Sequence, residues 1–379
     1  MASFFLIFVG FQEGTAIAEK GLPSIFPGFY LVQPHHKMVG IRKGGLRMNL
    51  KVLTGMTICV VAAVMTVSNP MTSQYVLSLK GKTVTVAAKP EKLEAVIKKE
   101  AENLEVPPID AKNDPVWKGT PGYNGLKVDI KSSYEKMKDE GIFDRERIVF
   151  DQVSPDIHLS DLPPMPIYRG NPEKPMASLI INVAWGNEYI PDMLATLKKH
   201  QVYATFFLEG RWVKENPELA KMIADSGHEI GNHSYSHPKM ETLTGERIRE
   251  EILKTNDIIE ATTGKRVKLF GPPSGGFNDE VVKIAGEYKM KTILWSVDTI
   301  DWQKPAPSVI VERVTSKLHK GALILMHPTA STSSALPALI AAIKKDDLRI
   351  GTVSSLLKEE RIIEKGNNSL LKGKSNDKD

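Results

Sequence analysis

Between residues 177 and 353, short apolar segments alternate with amphipathic ones, and few folds accept that pattern. The strand candidates are 179–184, 203–208, 228–233, 267–271, 292–297, 322–326 and 348–353. Helical periodicity fills the gaps at 191–200, 217–226, 246–262, 279–288, 308–318 and 335–345. The punctuation agrees: Pro217 and Asn278-Asp-Glu open helices, while Gly227 and Gly264 close them. Strands separated by helices pair in parallel, and about seven such units close, or nearly close, into a barrel. The expected fold is therefore α/β, a distorted (β/α) barrel of about seven strands. Chemistry in such barrels sits at the C-terminal ends of the strands. The polar residues of this segment gather there.

The rest of the chain is organised differently. Residues 1–47 read poorly as structure, and the pattern from Met48 makes sense by itself. Arg42, Lys43, Arg47 and Lys51 precede an apolar run over 52–67 that ends at Ser68-Asn69-Pro70, the signature of an export signal or membrane anchor. We therefore expect 1–47 to be an over-extended translation start or a disordered leader, and 48–70 to be a signal peptide or anchor. The flanking positive charge would place the body outside the cytoplasm, membrane-anchored or secreted to the wall. A buried core helix is the other reading of 52–67. Residues 71–165 read as a small α+β stalk module: strand-like at 83–86, helical at 89–104, then a strand and helix over 126–141. The proline-rich 154–175 reads as a linker, 166–357 as the barrel domain and 358–379 as a flexible tail.

Composition excludes some functions. The single cysteine, Cys59, permits no intrachain disulfide. Lysine and arginine exceed acidic residues by five over 379 residues, and no basic cluster is interleaved with aromatics. Nucleic acid is not an expected partner. A solvated surface accounts for the mild positive excess, and attraction to an anionic wall or membrane is the sharper alternative.

Within the barrel segment His233 and His237 stand four apart, so a helical turn would aim both imidazoles at one divalent ion. Retained polar core residues with no metal are the alternative. Gly271-Pro272-Pro273-Ser274-Gly275 is a tight turn able to aim a backbone N–H. Asp298 and Asp301 are carboxylates beside the flat wall of Trp302, and Asp298 could instead cap the following helix. His327 follows the apolar stretch Leu323-Ile-Leu-Met. A metal, a histidine acid and a backbone donor suit hydrolysis of an amide or ester through a tetrahedral intermediate.

In this order, His233-Ser-Tyr-Ser-His237, Asp298-Thr-Ile-Asp301-Trp302 and Leu325-Met-His327 resemble three of the five motifs of the polysaccharide deacetylases with a NodB-homology domain, carbohydrate esterase family 4. The flank Tyr203-Ala-Thr-Phe-Phe-Leu-Glu-Gly is similar to that family's second strand. With its anchor and preceding module, the chain looks most like the sporulation-associated deacetylase-like proteins of Bacillus-type bacteria. The resemblance implies roles. His233 and His237 correspond to metal ligands and His327 to the general acid. Asp301 corresponds to the carboxylate that tunes it. Trp302 and Leu325 correspond to groove walls, and Pro273 and Ser274 lie in the turn that supplies an oxyanion donor. The implied cofactor is a divalent metal, zinc or cobalt, if the site is still competent, and none otherwise. The implied partners are cell-wall glycan, peptidoglycan or chitin-like, and a membrane through the N-terminal segment.

The remaining two motifs depart from the family. The first is Asn182-Val-Ala-Trp-Gly186, with Ala184 at the catalytic base and Trp185 at the aspartate metal ligand. In the third, Gly271 replaces the arginine that tethers the base, and Ser274 replaces a tyrosine. An arginine beside a missing carboxylate would be an unpaired, partly buried charge, so the two losses belong together. Three readings stand. One is a catalytically impaired protein that binds wall glycan. Another is an active N-deacetylase with a substitute base such as Glu188 or a metal-bound hydroxide. The third is a membrane-anchored structural or assembly protein of the envelope or spore.

Overall fold

The computed structural model describes residues 90–363, all within one compact unit, Val84–Asp379. The expected leader 1–47, the apolar segment 48–70, the strand at 83–86 and residues 364–379 lie outside the described residues. No helix among those described is long and apolar enough to cross a membrane.

The module comes first. Helix α1 (Pro90–Leu104) is followed by the hairpin β1 (Lys112–Asp114) and β2 (Lys118–Thr120), then β3 (Gly125–Val128) and α2 (Ile130–Met137). Strand β4 (Phe150–Val153) returns antiparallel to β3. Leu93, Ile97, Ala101 and Leu104 recur at helical spacing on α1 and bury against Val128, Met137 and Ile148. Asp129 caps α2 by accepting the Ser132 N–H at 2.9 Å.

The barrel follows: β5 (Met176–Val183), α3 (Ile190–Lys199), β6 (Thr205–Leu208), α4 (Gly210–Glu215), α5 (Pro217–Asp225), β7 (Glu229–Asn232) and α6 (Gly245–Thr263). Then come β8 (Leu269–Phe270), α7 (Asp279–Glu287), β9 (Lys291–Thr292), β10 (Val297–Asp298) and α8 (Pro307–Thr315). The last elements are β11 (Ala322–Met326), α9 (Ala330–Lys345), β12 (Arg349–Gly351) and α10 (Val353–Leu357). The strands pair in parallel in the order β10-β11-β5-β6-β7-β8-β9, and β12 joins the first half of β5. This curled seven-strand path with its outer helices is the distorted barrel expected from the sequence. Strand β5 is buried along its whole length. Such a strand reads as a continuous apolar run because both faces are covered. On α3, Ile190, Met193, Leu194 and Leu197 face the sheet, each contributing roughly 1.5–3 kcal/mol of apolar burial.

Four expectations change. The single strand at 292–297 is two, β9 and β10. Between them Leu294 donates its N–H to Ile167 O at 2.8 Å and Ser296 donates to Leu323 O at 3.0 Å, so the backbone changes partners in mid-run. The helix expected at 335–345 begins at Ala330, because Thr329 caps it by accepting the Thr332 N–H. The expected linker at 154–175 is built into the barrel: Ile167 is buried and bridges Ile293 in parallel. Within 358–363 Arg361 is buried and Glu359 and Ile362 are half-buried, so this stretch is held to the body and is not a tail. Arg361 Nε donates to Asn124 O at 2.7 Å with its guanidinium over the Tyr123 ring, and Gln152 Nε2 donates to Arg361 O at 3.0 Å. Lys174 Nζ donates to Ser355 O and Lys358 O beneath this segment, and burial lowers its pKa to about 8.

Candidate active site

The C-terminal ends of the parallel strands carry the groove. Its cavity of about 420 Å³ is lined by residues that follow, or end, β5, β7, β8, β10 and β11. Ala184, Trp185, His233, His237, Ser274, Trp302, Leu325 and His327, all singled out from sequence, line it together. Asp301 lies fully buried behind His327. Gly271 and Pro273 are buried and not on the wall. Glu188, the substitute base considered from sequence, is exposed on the turn after β5 and not on the wall either.

His327 is held hard. Its Nδ1 stands 2.8 Å from Asp301 Oδ1, so the proton sits on Nδ1 and Nε2 is left for the groove. The second carboxylate oxygen of Asp301 accepts the His327 backbone N–H at 2.6 Å and the Thr332 hydroxyl at 2.5 Å. Asp298 Oδ1 accepts the Ile300 N–H at 2.8 Å, so this residue both braces the turn and lines the groove.

The two-histidine loop is equally fixed. His233 Nδ1 donates to Gly271 O at 2.6 Å. Burial pushes the His233 pKa down to about 3, with His237 and His327 adding to the effect, so the imidazole is neutral. Burial also lowers His237. Glu251 on α6 accepts the N–H groups of Tyr235 and Ser236, each at 2.8 Å, and the Ser236 hydroxyl at 2.7 Å. The loop between the histidines is thus pinned from behind. Of nine non-glycine residues with positive φ among those described, Ser234, His237, Ser274, Ile300 and Lys304 sit in groove loops. Each costs of order 1–3 kcal/mol, and such strain persists only where the surroundings impose it.

The donor set does not fit a tightly held metal. Two neutral imidazoles converge, with ring centroids 5.1 Å apart. Among the described residues no group of three His, Cys, Asp or Glu side chains could hold an ion. The place of a third ligand is taken by Trp185. It is 46% exposed and lies 8° from parallel with the His327 ring, centroids 5.9 Å apart. Gly186 explains the placement. Its φ is +83°, and a Cβ there would stand 2.0 Å from Pro328 O, so the loop after β5 presses against the loop after β11.

Several groove residues escaped the sequence reading. Trp295 was absorbed into an expected strand, yet it lines the cavity against Gly275. Asn182 also lines it, with its Oδ1 buried and unpartnered. Thr332 and Glu251 carry no motif of their own; their roles appear only once the loops are folded onto them. Glu209, at the end of β6, is nearly buried in a second cavity beside His237, and burial raises its pKa, partly offset by Arg211 and the Trp212 amide.

A family model for polysaccharide deacetylase matches residues 169–293. The uncharacterized protein YlxY of Bacillus subtilis is 54% identical over 295 residues, 78% of this chain and 92% of its own length. The peptidoglycan-N-acetylmuramic acid deacetylase PdaA of the same organism is 32% identical over 200 residues, 52% of this chain and 76% of that protein. Among solved structures, BA3943 of Bacillus anthracis, a CE4 family pseudoenzyme, is 54% identical with a TM-score of 0.69, covering 71% of this chain and 96% of that one. A BA3943 mutant with restored enzymatic activity matches at 53% identity and the same TM-score, covering 71% and 99%.

Proposed function

We propose, from the premise that this chain belongs to the polysaccharide deacetylase family, that it binds cell-wall glycan in the groove and hydrolyses its N-acetyl groups poorly or not at all. One observation carries the reading: Ala184 and Trp185 face an intact His327–Asp301 pair across the same cavity. Deacetylation needs a base to take a proton from water and an acid to give one to the departing amine. The acid half is present and oriented, because Asp301 holds the His327 ring through Nδ1 and leaves Nε2 for the groove. The base half is a methyl group. Losing base assistance removes roughly 10²–10⁴ in rate.

Family deacetylases are generally metal-dependent. A bound zinc or cobalt would polarise the acetyl carbonyl, but His233 and His237 alone hold such an ion far more weakly than a set with a carboxylate. What the groove retains suits binding. Trp185 and Trp302 are 46% and 56% exposed and offer flat faces to sugar rings. The strained loops are kept although the water-activating carboxylate is gone. The pseudoenzyme BA3943 supports the same reading by similarity.

The test is acetate release from peptidoglycan and chitin oligomers with added Zn²⁺ or Co²⁺, beside calorimetric binding of the same ligands. Binding without release is expected. Release by the native chain that His327→Ala abolishes would overturn the reading. Location outside the cytoplasm, through the apolar segment 52–67, belongs to the same proposal. Its test is cell fractionation, and recovery of the chain in the cytosol would count against it.

A further inference from the structure

A second cavity of about 440 Å³ adjoins the groove and shares Ala184, Trp185 and His237 with it. Its other walls are Glu209, Arg211 and Glu215. Where the family carries a carboxylate, Ala184 presents only a methyl group to both cavities. Glu209 is the deep residue here, its side chain 9% exposed. Its carboxylate meets the Trp212 amide and, 3.8 Å away, Arg211 Nε, which is itself about half exposed. The fixed side-chain charge of the cavity is therefore two carboxylates against one guanidinium. The groove and the side cavity share the Trp185 face, while Asn182 lines only the groove, with its Oδ1 buried in the wall. Trp185 forms the partition between them, with nearly half its surface free.

The carboxylates of Glu209 and Glu215 and an aromatic face call for a ligand rich in donors, with a cationic head and a flat apolar ring face. An acetamide offers one N–H and brings a carbonyl that needs donors of its own. A protonated amine offers three N–H donors and a charge. Resting on the glycan-binding reading above, we propose that this chain recognises the de-N-acetylated form of the glycan, with the ammonium of an amino sugar held at Glu209 beside Trp185. The departures at Ala184 and Trp185 then do more than remove catalysis. They leave a methyl group and an indole between groove and side cavity and supply the face against which the amino sugar lies. Recognition is of the product class of the family's reaction, in a cavity that needs no metal.

The experiment compares calorimetric binding of a glucosamine oligomer and an N-acetylglucosamine oligomer of equal length to the full chain. The glucosamine oligomer is expected to bind about tenfold more tightly, the scale of one well-placed charge contact. Glu209→Gln should erase that preference while leaving the acetylated oligomer within about twofold. Raising the salt concentration should shrink the preference in the native chain, which needs no variant to fold. Free lysine should compete no better than salt, because it has an amine but no ring. Equal or tighter binding of the acetylated oligomer overturns this inference and leaves the glycan reading standing. So does a preference that survives Glu209→Gln, or strong competition by lysine. Binding of neither oligomer overturns both.

Discussion

Asp301 grips His327 twice, taking its ring Nδ1–H on one oxygen at 2.8 Å and its backbone N–H on the other at 2.6 Å. The carboxylate is fully buried and also accepts the Thr332 hydroxyl. Such a group is a structural member of the fold as well as the residue that orients the imidazole. Asp301→Asn replaces one acceptor by a donor facing other donors, and it should lower stability by about 1–3 kcal/mol. The urea midpoint of the full chain measures this. An unchanged midpoint would mean that the grip contributes nothing to the folded state.

Restoring the carboxylates tests the groove directly. Ala184→Asp with Trp185→Asp should give acetate release in the presence of Zn²⁺ or Co²⁺, and stoichiometric metal by elemental analysis, where the native chain shows neither. Adding Gly271→Arg should cost stability. A Cβ at residue 271 would stand 2.9 Å from Phe207 Cδ1, and Phe207 is fully buried. The expected penalty is about 1–3 kcal/mol relative to the double variant. A triple variant as stable as the double one would show that Phe207 yields without strain.

How far the sequence carried these points depends on what kind of information each one needs. The barrel was legible because its strands are buried on both faces and its helices on one, so periodicity records the layers. The groove histidines and Asp301 were legible because their spacing repeats a family order. Trp295 was not, since an aromatic in an apolar run looks like core until the run breaks to follow Ile167. Thr332 was hidden in the Thr/Ser-rich start of α9, where hydroxyls argue against helix and a cap at Thr329 overrules them. The placement of Trp185 was not legible because it depends on the tight approach of Gly186 to Pro328. The packing of 358–363 was missed because Lys and Glu enrichment near a chain end looks solvated, and nothing local announces Arg361 as buried.

Acid should weaken the fold through His228. Its ring is buried between β6 and β7, where Nδ1 accepts the Ala204 N–H at 3.2 Å, and burial lowers its pKa to about 4. The unfolded chain holds that proton from about pH 6.5 downward. Between these values the unfolded state binds more protons, so stability falls as pH falls, by up to about 1.4 kcal/mol per unit for this one group. Urea midpoints at a series of pH values should show the slope, and His228→Gln should flatten it by about one proton. An identical slope in the variant would assign the effect elsewhere.

Truncation after Leu357 should loosen the module. It removes the Arg361 contacts to Asn124 and Tyr123, and the pairing of Glu359 with His158 at 2.6 Å. That last pair raises the His158 pKa through its hydrogen bond to Glu359. Limited proteolysis should then cut within 154–163 at least several-fold faster than in the full chain, as local opening becomes easier. Equal cleavage rates would show that the barrel holds the module without this segment.

Arg361 and Asn124 are 237 residues apart in the chain. The module is thus latched by residues that follow the whole barrel in the chain. Until these are in place its contact edge at Tyr123 and Gln152 has no cover. A chain cut between the barrel and this segment would carry a barrel able to form and a module unable to lock onto it. The module's final fit therefore waits on residues made only after the entire barrel.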